Sequence, residues 1–143
     1  MMLLDTNFVS ELMRPQPDTR VINWLDEQLE NNLSISSITQ AEIETGITIL
    51  PNGQRKATIQ TAATELLDTF EDRCYPFDCA SAGAYAEVIR LSRLKGRPTT
   101  TEDAQIAAIA LTYQMILATR NTTDFDFIDM LQLVNPWGAS NSE

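Results

Sequence analysis

The sequence predicts an α/β fold in which a parallel sheet carries helices on both faces. Short apolar runs suited to buried strands alternate with helical apolar patterns along the chain, and no repeat, low-complexity segment or linker interrupts them. The acids add a third observation. Asp5, Glu42, Asp103 and Asp124 each follow an apolar stretch or open a helix, and a doubly wound sheet brings such positions to one edge, where strand carboxyl ends form a crevice.

Length and composition bound what such a fold does. The 143 residues suit one domain, expected over residues 1–137 with a mobile tail at 138–143. Hydrophobic residues at 43% and charged residues at 21% are ordinary for a globular chain. No apolar run approaches the roughly 18 residues of a membrane span and no basic segment precedes an apolar one, so a cytoplasmic protein without a membrane partner is expected. The net charge of -10 argues against broad electrostatic attraction to nucleic acid. It leaves room for a basic partner, and for a nuclease whose bound cations reverse the field at a carboxylate site.

The chain has no histidine. That removes Ser-His and Cys-His nucleophile pairs, a histidine base and His-ligated zinc. Cys74 and Cys79 are too few for a four-cysteine zinc site and read as buried thiols near a strand end. Hydrolysis here must run on carboxylates and hard cations.

Taken in order, Met1 to Leu4 is a short buried strand running into Asp5-Thr6-Asn7, where Asp5 either caps the next helix or faces the crevice. Phe8, Val9, Leu12 and Met13 line one side of that helix, and Arg14-Pro15-Gln16-Pro17 ends it. Asp18 caps a second helix carrying Val21, Ile22, Trp24 and Leu25. Leu33 to Ser36 is an alternating strand, and Thr39-Gln40-Ala41-Glu42 fits a capping box. Glu42 is thereby either a cap partner, a crevice residue, or both.

Pro51-Asn52-Gly53 is a turn, and Gln54 to Asp72 repeats apolar residues at helical spacing. A brief strand is expected within Arg73–Phe77, then Asp78 capping a helix from Cys79 to about Lys95 with Gly96 as its stop. Arg90, Arg93, Lys95 and Arg97 are the basic cluster of the chain, explained either by the helix dipole or by contact with phosphate. Thr100-x-x-Asp103 permits a second capping box, opening a helix thinned by Ala104, Ala107, Ala108 and Ala110. Met115 to Thr119 is a strand and Arg120 to Phe125 a polar loop, in which Asp124 is a turn residue or a site acid. Leu131 to Val134 is the last strand, and Trp137 covers an edge.

Four carboxylates at one sheet edge repel unless one is protonated or a cation joins them. Magnesium suits the second solution, since it binds through one or two carboxylates and keeps waters that phosphate can replace.

The stretches MLLDTNFVSELMRPQP, SSITQAEIETGI, TEDAQIAAIA, LATRNTTDF and VNPW, in this order and spacing, resemble PIN-domain toxins of the VapC and FitB type. The resemblance implies an α/β/α sandwich with a parallel sheet and an endoribonuclease dependent on Mg2+ or Mn2+. It assigns the family's acids to Asp5, Glu42 and Asp103, with Asp5 and Asp103 as the principal metal ligands. Some FitB-like relatives carry an acid directly after the Thr-Arg pair, where this chain has Asn121; in the commoner TRNxxDF pattern the acid is Asp124, which the resemblance assigns to a second metal or to support around the first. Thr6 and Asn121 are expected to orient waters or carboxylates around the site.

The resemblance also implies a homodimer and an antitoxin whose basic tail enters the acidic crevice, with DNA reached only through that antitoxin. RNA would meet Arg93, Lys95 and Arg97, with Arg14 and Arg55 behind them. A module that binds its antitoxin in a DNA-bound repressor without cutting RNA is the alternative of a different class. A small-molecule phosphohydrolase is disfavoured by the lack of a Gly-rich phosphate cradle.

Overall fold

The apolar run at the start of the chain becomes the middle of the sheet. In the computed structural model, which describes residues 1–138, β1 (Met2–Leu4) lies between β2 (Leu33–Ser36) and β4 (Ile116–Ala118). The edges are β3 (Cys74–Tyr75) beside β2 and β5 (Leu133–Val134) beside β4. Every pairing is parallel, with Leu3 opposite Ser34 on one side and Leu117 on the other. Of the expected tail, residues 139–143 lie outside the described residues.

A middle strand of a parallel sheet is covered on both faces, and successive side chains point opposite ways. Leu3 and Leu4, both fully buried, accordingly enter different cores. Leu4 joins Phe8 and Val9 of α1 (Thr6–Leu12), Val21 of α2 (Thr19–Asp26), Ile43 and Ile47 of α3 (Ser37–Thr48) and Ala63 of α4 (Gln54–Thr69). Leu3 joins Val88 and Leu91 of α5 (Ala82–Lys95) and Ile106, Ala107 and Ile109 of α6 (Thr101–Thr112). The result is the expected α/β/α sandwich. The alanines of α6 are fully buried, as a helix lying close to a sheet requires.

Local differences from the sequence reading have physical reasons. The cap of α3 is Ser36, the last residue of β2, whose hydroxyl accepts the Thr39 amide at 3.1 Å. The strand therefore enters the helix with no intervening loop, and Thr39 lies inside the helix rather than capping it. The Glu42 carboxylate consequently has no part in a capping box. The helix expected from Cys79 begins with a 3-10 turn over Cys79–Ser81, and Asp78 accepts a hydrogen bond from the Tyr113 hydroxyl at 3.2 Å instead of capping. Cys79 is exposed and Cys74 half-buried, so only Cys74 resembles the expected buried thiol. Gly96 ends α5 at φ 65°, the left-handed conformation that favours glycine.

Trp137 is 4% exposed and meets the Phe8 ring edge-on at 6.0 Å. It is part of the core, beyond the edge cover expected for it.

Candidate active site at the carboxyl edge of the sheet

In chain order the strands move from β1 through β2 to β3, then resume on the other side of β1 with β4 and β5. Such a reversal opens a crevice beyond the strand carboxyl ends, at the switch point between β1 and β4. Asp5 and Thr119 are the residues that follow these two strands.

Asp5 is 5% exposed, and both of its oxygens are engaged. The Thr6 amide donates to Oδ1 at 2.8 Å, making Asp5 the cap of α1, and the Thr119 hydroxyl donates to Oδ2 at 2.7 Å. Thr119 is itself saturated, because its oxygen accepts the Asn121 amide at 3.1 Å and Asn7 Nδ2 at 3.3 Å. Both neighbours can only donate to it, so the hydroxyl proton is directed at Asp5. Cap and crevice residue are thus one and the same: each carboxylate oxygen keeps a lone pair beyond the bond that fixes it.

Glu42 lies on the exposed side of α3 and is tied to α1 by the Thr6 hydroxyl, at 2.5 Å from Oε1. Asp103 is in the first turn of α6, half-buried, its amide donating to the Thr100 hydroxyl at 3.0 Å. Thr100 is therefore the cap that the sequence predicts. Asp124 closes a 3-10 turn over Thr122–Asp124 and is exposed, with its amide held by the Asn121 carbonyl at 3.0 Å.

The charges of these acids act on Asp5 and Asp103. Burial pushes the Asp5 carboxyl above its ordinary value of 3.8 against the hydrogen bonds from Thr119 and Thr6, and the charges of Glu42 and Asp124 add to the rise. Asp103 is raised to about 6, first by burial and then by the charges of Asp5, Asp124 and Glu42. Among the described residues no Lys or Arg forms an ion pair with any of the four. Nor do three of them stand together as a closed ligand set among those residues. An open pair of hard oxygen donors with uncompensated charge fits a magnesium-like ion, which takes one or two carboxylates and retains its waters. It does not fit a cation that needs a full protein cage.

The basic cluster is largely committed. Lys95 donates to the Phe127 carbonyl at 2.7 Å and to Asp129 at 2.8 Å, and Arg97 pairs with Asp126 at 2.6 Å while contacting the Thr123 carbonyl. These two side chains tie the end of α5 to the segment that carries Asp124. Arg93 is exposed, with no ion pair among the described residues.

The sequence marks Thr39 only as a helix cap and gives Thr119, Ser36 and Asn7 no role at the site. A usable signal was present: β2 ends on a serine and β4 is followed by a threonine, so hydroxyls flank Asp5 from both neighbouring strands.

The PIN domain family matches residues 2–129, which is most of the chain. This chain belongs to the PIN-domain family. The chain is 41% identical over 140 residues to the plasmid stability protein StbB of Pseudomonas syringae pv. tomato, covering 97% of this chain and 100% of that one. It is 35% identical over 138 residues to the VapC ribonuclease Y4jK of Sinorhizobium fredii, covering 96% and 98%. Among solved structures, FitAB bound to a DNA fragment contains a chain that superimposes with a TM-score of 0.90 at 37% identity, covering 96% of both. The chain is thus closely related to VapC and FitB toxins of type II toxin-antitoxin systems.

Proposed function

We propose that this PIN domain is a metal-dependent endoribonuclease, the toxin of a type II pair, held in check by an antitoxin. The observation that carries this reading is the set Asp5, Glu42, Asp103 and Asp124 near the sheet switch point, where burial and then the charges of its neighbours raise Asp103 to about 6 and no Lys or Arg among the described residues forms an ion pair with any of the four. Family membership and a relative named a VapC ribonuclease support it.

Asp5 and Asp103 would hold Mg2+ or Mn2+, which when bound lowers the pKa of a water and offsets charge on phosphate. The chain's own residues do the rest. Thr119 and the Thr6 amide fix both Asp5 oxygens, so the ligand needs no reorganisation. The Thr6 hydroxyl directs Glu42, and Asp124, exposed in the turn after β4, would serve a second metal or orient the groups around the first. Asn121 lends its amide to Thr119 and so supports Asp5 indirectly.

The proposed partners follow from the same charge. An antitoxin tail bearing Arg or Lys would find in this crevice the complement of its charge and would compete with metal and RNA. A homodimer working in the cytoplasm, with DNA met through the antitoxin, is part of the reading. The solved structure of FitAB bound to a DNA fragment supports the DNA partnership in general terms.

The test is RNA cleavage by antitoxin-free protein with Mg2+, Mn2+ or a chelator, beside Asp103→Asn prepared identically. Cutting that needs metal and is lost in the variant is expected. Parental activity in Asp103→Asn would sink the mechanism. No cutting with either metal, while the antitoxin still binds, would favour the non-cleaving module.

A further inference from the structure

We propose that Thr39 is a positioning residue: with Ser36 behind it and Thr6 ahead, it forms a one-way chain of hydroxyl hydrogen bonds that holds the Glu42 carboxylate at the crevice. This rests on the reading of Glu42 as a working acid.

The direction follows from counting protons. A carboxylate only accepts, so Thr6 gives its single hydroxyl proton to Glu42 Oε1 at 2.5 Å. Thr6 Oγ1 must then accept from Thr39 Oγ1, 2.9 Å away. Thr39 Oγ1 has spent its own proton and accepts from Ser36 Oγ at 3.4 Å, and Ser36 Oγ takes the Thr39 amide at 3.1 Å. Every proton points the same way, from a backbone amide in the first turn of α3 to the carboxylate. Bonds aligned in this sense polarise one another, the more so away from water.

Burial makes the chain more than decoration. Ser36 and Thr39 are both 0% exposed, so water cannot replace a missing link. Glu42 is exposed, and without a tether an exposed glutamate samples many rotamers. Capping of α3 does not explain the Thr39 hydroxyl, because the cap needs only Ser36 Oγ and the Thr39 amide. Thr6 also joins the two acids: its amide holds Asp5 Oδ1 and its hydroxyl holds Glu42. A loosened Thr6 hydroxyl would leave Asp5 fixed and release Glu42.

The experiment compares the parent with Thr39→Val, Thr39→Ser and Ser36→Gly, a change that keeps a competent cap but removes the head of the chain. RNA cleavage, 13C relaxation of the Glu42 side chain and urea unfolding are measured on each. In Thr39→Val, kcat should fall about 10-fold, the scale seen when groups supporting ligands are removed. KM should stay within about twofold, and Glu42 should become more mobile. Thr39→Ser should restore both, and Ser36→Gly should shift both in the same direction by less. Parental kcat and unchanged Glu42 mobility in Thr39→Val would overturn the proposal, as would loss of activity that tracks unfolding while Glu42 stays ordered. If the parent cuts no RNA, the nuclease reading fails separately, and Glu42 mobility alone decides the role of Thr39.

Discussion

The Thr119 hydroxyl makes one donated and two accepted hydrogen bonds with no exposure to water, so its removal leaves three groups unpaired at once. Thr119→Val keeps the shape and strands Asp5 Oδ2, the Asn121 amide and Asn7 Nδ2. The expected cost is about 1–3 kcal/mol in urea unfolding, with Thr119→Ser close to the parent; an unchanged midpoint for the valine variant would refute this account. Asp103 carries a different liability. Its folded pKa, raised to about 6 from 3.8, means that the native state binds its proton more tightly than the unfolded chain does. Its contribution to stability is full below about pH 4 and is lost as pH rises through 6. Asp103→Asn removes that loss, so at pH 8 the variant should melt above the parent, and below pH 4 the two should converge. Solvent screening of a half-exposed group leaves about 1 kcal/mol, or roughly 3–5 °C. A constant difference across pH would mean that Asp103 does not feel its neighbours. The acids themselves were legible because each follows a strand or opens a helix. Thr119 was not, since a hydroxyl at a strand end has many uses until β1 and β4 are known to be adjacent.

Elements hold these side chains through their first turns. In α6 the Thr100 cap fixes the Asp103 amide, and the sequence shows it because a proline at 98 and three threonines leave few places for the helix to begin. Thr100→Ala should cost about 1 kcal/mol and Thr100→Ser much less, measured by thermal unfolding; equal stability for both would show the cap to be idle. In α3 the same reasoning fails. Ser36 and Thr39 are spaced so that either could cap, and local sequence favours Thr39 because Glu42 completes the box. The choice is made by a contact 36 residues distant, where Thr6 takes the Glu42 carboxylate, and by β2 running straight into the helix. Long-range pairing overrides a local motif. The opposite holds at Gly96, where α5 must turn through a left-handed conformation and the sequence alone supplies the residue that permits it.

At the scale of the molecule, a chain of charge -10 that acts on RNA, as proposed, would meet it with few cations, and ion pairing makes them fewer. Lys95 and Arg97 are paired with Asp129 and Asp126, on the segment that bears Asp124. Arg120 is free of any ion pair among the described residues and lies over the Trp137 ring at 5.3 Å, one residue beyond Thr119. Its amide lies 3.4 Å from Asn7 Oδ1, so the backbone beneath it is tied to the same group that supports Asp5 through Thr119. A cation stacked on a buried indole beside the carboxylate crevice is well placed to take a phosphate of a bound strand. Each phosphate neutralised on a single strand contributes about 0.7 to the slope of log affinity against log salt. Arg120→Ala, in protein made inactive by Asp103→Asn, should therefore flatten the salt dependence of RNA binding by about that amount while leaving unfolding nearly unchanged. Lys95→Ala with Arg97→Ala should do the reverse, lowering stability because the Asp124 segment loses its anchors, with little change in slope. If the slope instead follows Lys95 and Arg97 and ignores Arg120, RNA crosses the end of α5 and opens those ion pairs as it binds.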